Sequence, residues 1–183
     1  MLVERRYDRD RALTYAREWA MSRNPLFIDY TGFGGDCTNF VSQCLFAGSC
    51  RMNFTPVFGW YYLDADSRTA SWTGVQYFYN FLTNNRGEGP FGVEADETDL
   101  RVGDVVQLQN EGGAYYHTLL VSGIDPEAGI LVAAHSNDAF DRPLSTYTYA
   151  AARFLQVSGV RVELDVSTGS CFYDLIGGIA IKP

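Results

Sequence analysis

The apolar residues of this chain keep a helical period through the first half and an alternating one through the second, and few folds accommodate that split. From about Asp8 to Ser22, the residues Ala12, Leu13, Ala16, Trp19 and Ala20 fall on one helical face, and Asn24-Pro25 stops the run. A second helix is predicted from Cys37 to about Ala47. Asp36 is placed to cap it, Phe40, Val41, Cys44 and Leu45 recur at helical spacing, and Gly48 ends it. Ser71-Trp72-Thr73 opens a third helix that runs through Leu82 and ends at Asn84-Asn85. Beyond Gly92 the pattern changes. Gly103-Asp104 reads as a turn into the strand Val105-Val106-Gln107-Leu108. Tyr115 to Ser122 and Ile130 to Ala134 are further strands around the turn-rich Gly123 to Gly129. Leu144 to Val157 adds another strand, and Val160 to Val166 with Ile176 to Ile181 is read as a closing hairpin. Helices first and an antiparallel sheet second define an α+β fold, with N-terminal helices packed on the sheet. At 183 residues the chain is read as a single catalytic domain, 1–183, with a C-terminal extension at 157–183.

Charge narrows the function. A net charge of −8 with no Lys/Arg run argues against nucleic acid as a partner, because a phosphate backbone needs a clustered basic face. No stretch is apolar for long enough to span a bilayer. Met1 to Asp10 is charged and lacks the apolar core of a signal peptide. The chain as written is therefore expected to act in the cytoplasm, or at the cell wall if a leader or another domain precedes it. Nothing in the sequence sets an oligomeric state.

Four cysteines, Cys37, Cys44, Cys50 and Cys171, form no Cys-x-x-Cys pair, so no metal and no other cofactor is expected. Cys37 and Cys44 lie two helical turns apart, too far to bridge, and Cys44 reads as a small core residue. Whether Cys50 and Cys171 pair is left open. Cys37 has a distinctive position in Gly34-Gly35-Asp36-Cys37-Thr38-Asn39-Phe40-Val41-Ser42-Gln43, at a helix start where the peptide dipoles favour a thiolate. Such a thiolate is expected to take iodoacetamide before the other three thiols and to keep that reactivity below neutral pH.

A thiol nucleophile needs a base, and the chain has only two histidines, His117 and His135. They occupy consecutive predicted strands. His117 at the head of one strand is expected within hydrogen-bond reach of the Cys37 sulfur. His135, ending the next, is expected to sit beside His117 across a hairpin and fix its tautomer. Asn137 and Asp138 are alternatives for that third place. Trp60, Tyr61, Tyr62, Trp72 and Tyr116 are candidates for a substrate groove, although core packing is the commoner explanation for each of them.

The Asp36 to Gln43 run resembles the nucleophile motif of the NlpC-type cell-wall peptidases, related to the CHAP-like papain-fold hydrolases. Leu100 to Val106 is similar to that superfamily's step into its first strand, His117 to Gly123 to its histidine strand, and Val132 to His135 to the strand bearing the third polar residue. The similarity is closer to the bacterial putative amidase domain family. Tyr7-Asp8-Arg9-Asp10-Arg11-Ala12, the ten residues 34–43, Trp72-Thr73-Gly74, and Ala134-His135 followed by Asp138 and Arg142-Pro143-Leu144 all fit its pattern, over roughly residues 5–156. The resemblance implies a papain-like fold and a cysteine-dependent amide or peptide hydrolase. It further implies Cys37 as nucleophile, His117 as base and acid, His135 as orienter, and a cell-wall peptidoglycan peptide or muropeptide as substrate. The Cys37 backbone N–H is the first expected oxyanion donor, with Tyr30 or Asn39 as a second, while Asp36 is expected to cap the helix. Two other readings share the motif. One is a thiol acyltransferase or transglutaminase-like enzyme on the same fold. The other is a non-enzymatic wall-binding module.

Overall fold

The computed structural model describes residues 1–164 and 169–183, and residues 165–168 lie outside the described part. The fold is α+β. Seven strands form one sheet: β1 (Leu2–Arg5), β2 (Gly89–Ala95), β3 (Val105–Gln109), β4 (Tyr115–Asp125), β5 (Gly129–Ala134), β6 (Ala139–Pro143) and β7 (Ala151–Glu163). Their order is β1-β7-β3-β4-β5-β6, with β2 also paired to β7, and every pairing is antiparallel. The helices are α1 (Arg9–Trp19), α2 (Cys37–Ser49), the short α3 (Ala70–Thr73), α4 (Val75–Asn84) and α5 (Cys171–Ile176). None is long and apolar enough to cross a membrane.

Strand alternation divides the sheet into two chemical faces. One side, with Val105, Leu120, Ala133, Leu155 and Val157, packs against α1, α2 and α4 in the main core. The other side, with Val106, Leu108, Leu119, Val121, Val132 and Ala134, packs with Leu100 and Leu144 in a second, smaller core. Helix α2 is central, and all thirteen of its residues are buried. Its polar side chains are each matched: Tyr15 donates to Gln43, Trp60 donates to Ser42, and Ser42 donates to the Trp72 carbonyl. These partners let a helix carrying Asn, Ser and Gln sit in the middle of a core.

Several boundaries differ from the sequence reading, each for a physical reason. Gly48 does not end α2. The helix runs on to Ser49 and closes at Cys50, whose φ of 47° is left-handed. Gly48 is there for clearance, because a Cβ on it would lie 2.4 Å from the Tyr7 ring and 2.7 Å from the Asp8 carbonyl. The third predicted helix splits into α3 and α4 around Gly74, and the strand predicted at Leu144 starts at Ala151, inside the single long β7. No hairpin joins Val160–Val166 to Ile176–Ile181: the first belongs to β7 as far as Glu163, and α5 precedes the tail. Val166 itself lies outside the described residues. Cys50 and Cys171 form a disulfide that ties α5 to the end of α2, while Cys37 and Cys44 are free. The Gly103-Asp104 step does turn into a strand. Gly103 takes a φ of 87°, and the fully buried Asp104 receives Arg9 at 2.7 Å and the backbone N–H groups of Arg101 and Val157.

Candidate active site

Cys37 is the first residue of α2, and the residue before it fixes where the helix starts. The Asp36 side chain makes no cap hydrogen bond to α2 backbone, contrary to expectation. Instead it turns back into the protein. Its Oδ1 accepts from the Tyr30 backbone N–H at 2.9 Å and from Asn39 Nδ2 at 2.8 Å, and its Oδ2 lies 2.6 Å from His135 Nδ1. The Asp36 backbone N–H donates to Ser136 Oγ at 2.8 Å, so the turn after β5 is docked onto the start of α2. Ser136 and Asn137 hold left-handed φ values of 62° and 80° to make that turn. Arg23 fastens it from outside with two 2.9 Å bonds to Asp138, its Nε lying 3.2 Å from Asp29 and 3.7 Å from Asp36.

His135 is therefore not beside His117 but beside Asp36. It is 1% exposed, stacks on Phe40 at 4.1 Å, and its Nε2 donates to the Trp19 carbonyl at 2.8 Å. Both ring nitrogens are engaged, one by Asp36 and one by the Trp19 carbonyl, so neither is left for a second histidine.

The Cys37 sulfur sits where α2 meets β4. It is 6% exposed, lies 3.8 Å from Thr38 Oγ1, and accepts from the backbone N–H groups of Thr118 and Thr38. Burial pushes its thiol up from the ordinary range. The Thr118 and Thr38 hydrogen bonds pull it down, and the Asp36 charge adds a smaller upward push. Burial outweighs those hydrogen bonds, so the thiol lies above its ordinary range rather than below it.

The His117 side chain makes no hydrogen bond to Cys37 or to any other described residue. Strand alternation is the cause. Thr118 faces α2, where its hydroxyl meets that of Thr38 at 2.9 Å, so His117 points with Leu119 and Val121 toward the second core. There its ring lies 6.0 Å from those of Tyr147 and Tyr116, and Arg142 lies over Tyr147 at 3.9 Å. Burial, and secondarily the Arg142 charge, lowers its pKa to about 4, so the ring is neutral in ordinary buffer.

The remaining predicted residues divide cleanly. Asn39 is locked, donating to the Ile28 carbonyl and Asp36 and accepting from Trp72 Nε1, so it has no donor left for an oxyanion. The Tyr30 hydroxyl is buried and has no well-formed hydrogen bond. Trp60, Trp72 and Tyr62 are core residues at 0 to 1% exposure, not groove walls, and Tyr61 packs half-buried on Phe54. Tyr116 is exposed and lines a cavity of about 440 Å³ with Asn110, Glu111, Thr148 and Tyr149. Sequence reasoning missed Thr38, Thr118, Gln107, Arg23 and Tyr147. A signal existed for Thr118 and Gln107, which are polar residues within apolar strand runs.

The chain is 36% identical over 137 residues to the uncharacterized protein YhbB of Bacillus subtilis, a match covering 73% of this chain and 42% of that protein. The chain thus spans less than half the length of that relative. No solved structure matches it. The sequence model of the putative amidase domain matches residues 6–157, which include Asp36, Cys37, His117 and His135. The chain belongs to the putative amidase domain family.

Proposed function

We propose that this domain is a cysteine amide hydrolase in which Cys37 attacks the carbonyl carbon and His117 accepts the thiol proton. The observation that carries the reading is the Cys37 sulfur itself. A free cysteine at the first position of a buried helix receives two backbone N–H groups and faces a hydroxyl, surroundings that suit a sulfur acquiring negative charge. His117 is the histidine with unengaged nitrogens, and a neutral imidazole is the form that can act as a base. Its ring has to turn from the Tyr147 side toward the β4 edge for the transfer.

The proposed sequence then runs in two halves. The sulfur adds to the amide carbonyl as His117 takes its proton, and the oxyanion is met by the Cys37 backbone N–H and the Tyr30 hydroxyl, which has no well-formed hydrogen bond. The protonated His117 gives that proton to the leaving amine; water then adds to the thioester as the same ring takes its proton, the carboxylic acid leaves, and the ring returns the proton to the expelled sulfur. His135 acts on Asp36, holding the start of α2 rather than the base. The proposed substrate is an amide of a cell-wall peptide, the class the NlpC-type resemblance implies.

Incubation with purified peptidoglycan fragments, read by mass spectrometry, tests this. A new amine and a new carboxylate from one bond, both absent with Cys37→Ala, are expected. Equal cleavage by the Cys37→Ala protein would overturn the role of the sulfur. No cleavage of any fragment by the intact protein would overturn the substrate class.

A further inference from the structure

Behind the Cys37 sulfur, three fully buried polar side chains run in a row through otherwise apolar packing: Thr38 on α2, Thr118 on β4 and Gln107 on β3. Thr118 and Gln107 are register partners, and Gln107 is in turn the register partner of Arg153 on β7, so the row crosses three strands along one rung of the sheet. Its links are Arg153 Nε to Gln107 Oε1 at 2.8 Å, Gln107 Nε2 to Thr118 Oγ1 at 3.1 Å, Thr118 to Thr38 hydroxyl at 2.9 Å, and Thr38 Oγ1 to Cys37 Sγ at 3.8 Å.

The outer two links of that row have a fixed direction. A guanidinium only donates, so Gln107 turns its oxygen to Arg153 and its nitrogen to Thr118. The Val75 carbonyl, 2.9 Å from the same Gln107 nitrogen, requires the same orientation. In the Thr118–Thr38 and Thr38–Cys37 contacts either atom can donate. With Thr118 Oγ1 accepting from Gln107, the arrangement that uses every proton sends that of Thr118 to Thr38 Oγ1 and that of Thr38 to the Cys37 sulfur. Arg153 anchors the outer end. It is held between the rings of Tyr79 and Tyr115 at 3.7 and 3.8 Å and donates to Gln76.

We propose that Arg153, Gln107, Thr118 and Thr38 form a one-way hydrogen-bond chain that ends by donating to Cys37 Sγ and stabilises its thiolate. The chain supplies a third donor beside the two backbone N–H groups. It draws its polarity from a cation on the far side of the sheet's central strands. These are positioning residues, since none but Thr38 touches the sulfur. The catalytic use of the chain rests on Cys37 being the nucleophile, whereas the chain itself concerns only the thiol and is testable without any substrate.

The test is the pH profile of Cys37 alkylation by iodoacetamide in the full-length protein, followed by peptide mass spectrometry. Thr38→Val removes the donor at nearly constant volume. It also strands the Thr118 proton, so the double variant Thr38→Val, Thr118→Val is made alongside it. Deleting both partners leaves an apolar, isosteric contact. In both, the midpoint is expected to move to higher pH, and the rate at a fixed pH below it to fall roughly tenfold, the size of one charge-assisted hydrogen bond. Thr38→Ser is expected to keep the original midpoint. A change in access to the sulfur would alter the rate at every pH and leave the midpoint alone, which separates obstruction from lost thiolate stabilisation. A folded double variant with an unchanged midpoint overturns the proposal, as does a Thr38→Ser shift as large as that of Thr38→Val. Loss of hydrolysis with these results intact would count against the amidase reading, not against the chain.

Discussion

The two histidines of this domain sit in opposite situations. His135 lies on the helix side of the sheet with both nitrogens bonded, one face stacked on Phe40, and a carboxylate 2.6 Å away. His117 lies on β4, which pairs with the strand preceding His135, but on the other face, against Tyr147, with no side-chain hydrogen bond to any described residue and a pKa lowered to about 4. The first is a structural clamp and cannot move without breaking the start of α2. The second is an imidazole kept neutral, held by packing alone, and free to change partner. Of the two, only His117 has ring nitrogens not already engaged, the condition for taking up and returning a proton.

The sharpest way to break this comparison is to exchange the consequences. His117→Asn is expected to cut amide hydrolysis by about 10²- to 10⁴-fold, the usual range for a positioned acid–base group, while leaving the thermal midpoint near that of the parent. Steady-state kinetics and a melting curve on the same preparation decide it. An activity loss below threefold would remove His117 from the proton path. His135→Ala is expected to do the reverse in kind. It leaves the buried Asp36 carboxylate and the Trp19 carbonyl without their partner and empties the space beside Phe40, a loss of about 3–5 kcal/mol in denaturant unfolding at pH 7. If His135→Ala unfolds no more easily than His117→Asn, the clamp reading fails.

A third prediction uses acid. Unfolded His117 binds a proton at the ordinary histidine pKa near 6.5, whereas folded His117 does so only at about 4. Between those values the unfolded chain binds more protons, so stability from this residue is full above about pH 6.5, declines as pH falls, and levels off below about 4. The increment is about 3 kcal/mol at most. His117→Gln should flatten the profile over that interval relative to the parent, since the carboxylates that also titrate there are common to both. Parallel slopes would show that His117 is not buried in a cation-excluding site.

Much of this arrangement is legible in the sequence, and the parts that are not share a cause. Helices α1 and α2, strands β3, β4 and β5, and the placement of Cys37 at a helix start follow from local periodicity and from the Gly-Gly-Asp-Cys run, whereas β1, β2, β6 and α5 do not. Which face a strand residue occupies does not follow, because a one-residue offset reverses it. His117 and Thr118 are adjacent, and only the pairing of β4 with α2 decides that Thr118 faces the sulfur. Asp36 sits where a helix cap belongs, yet a partner 99 residues away, His135, claims its side chain. Trp60 and Trp72 stand next to flexible-looking loop sequence but find each other at 4.6 Å in the core. The Cys50–Cys171 bridge joins residues 121 positions apart, a separation at which spacing carries no information.

The smallest expected effect tests how far the clamp on α2 extends to the surface. Arg23 reaches Asp138 with both terminal nitrogens and lies near Asp29 and Asp36, so it links the loop before Cys37 to the turn after His135. Its side chain is about a quarter exposed, at 27%, so solvent screens much of the attraction. Arg23→Gln is therefore expected to cost about 1 kcal/mol, with the difference from the parent shrinking as salt is raised from 0.05 to about 1 M. His135→Ala should show no comparable salt dependence, because its pair is buried. Measuring both variants at both salt concentrations separates the two contributions to one helix start. Should Arg23→Gln equal His135→Ala in cost and ignore salt, the surface ion pairs and not the buried histidine hold Asp36 in place.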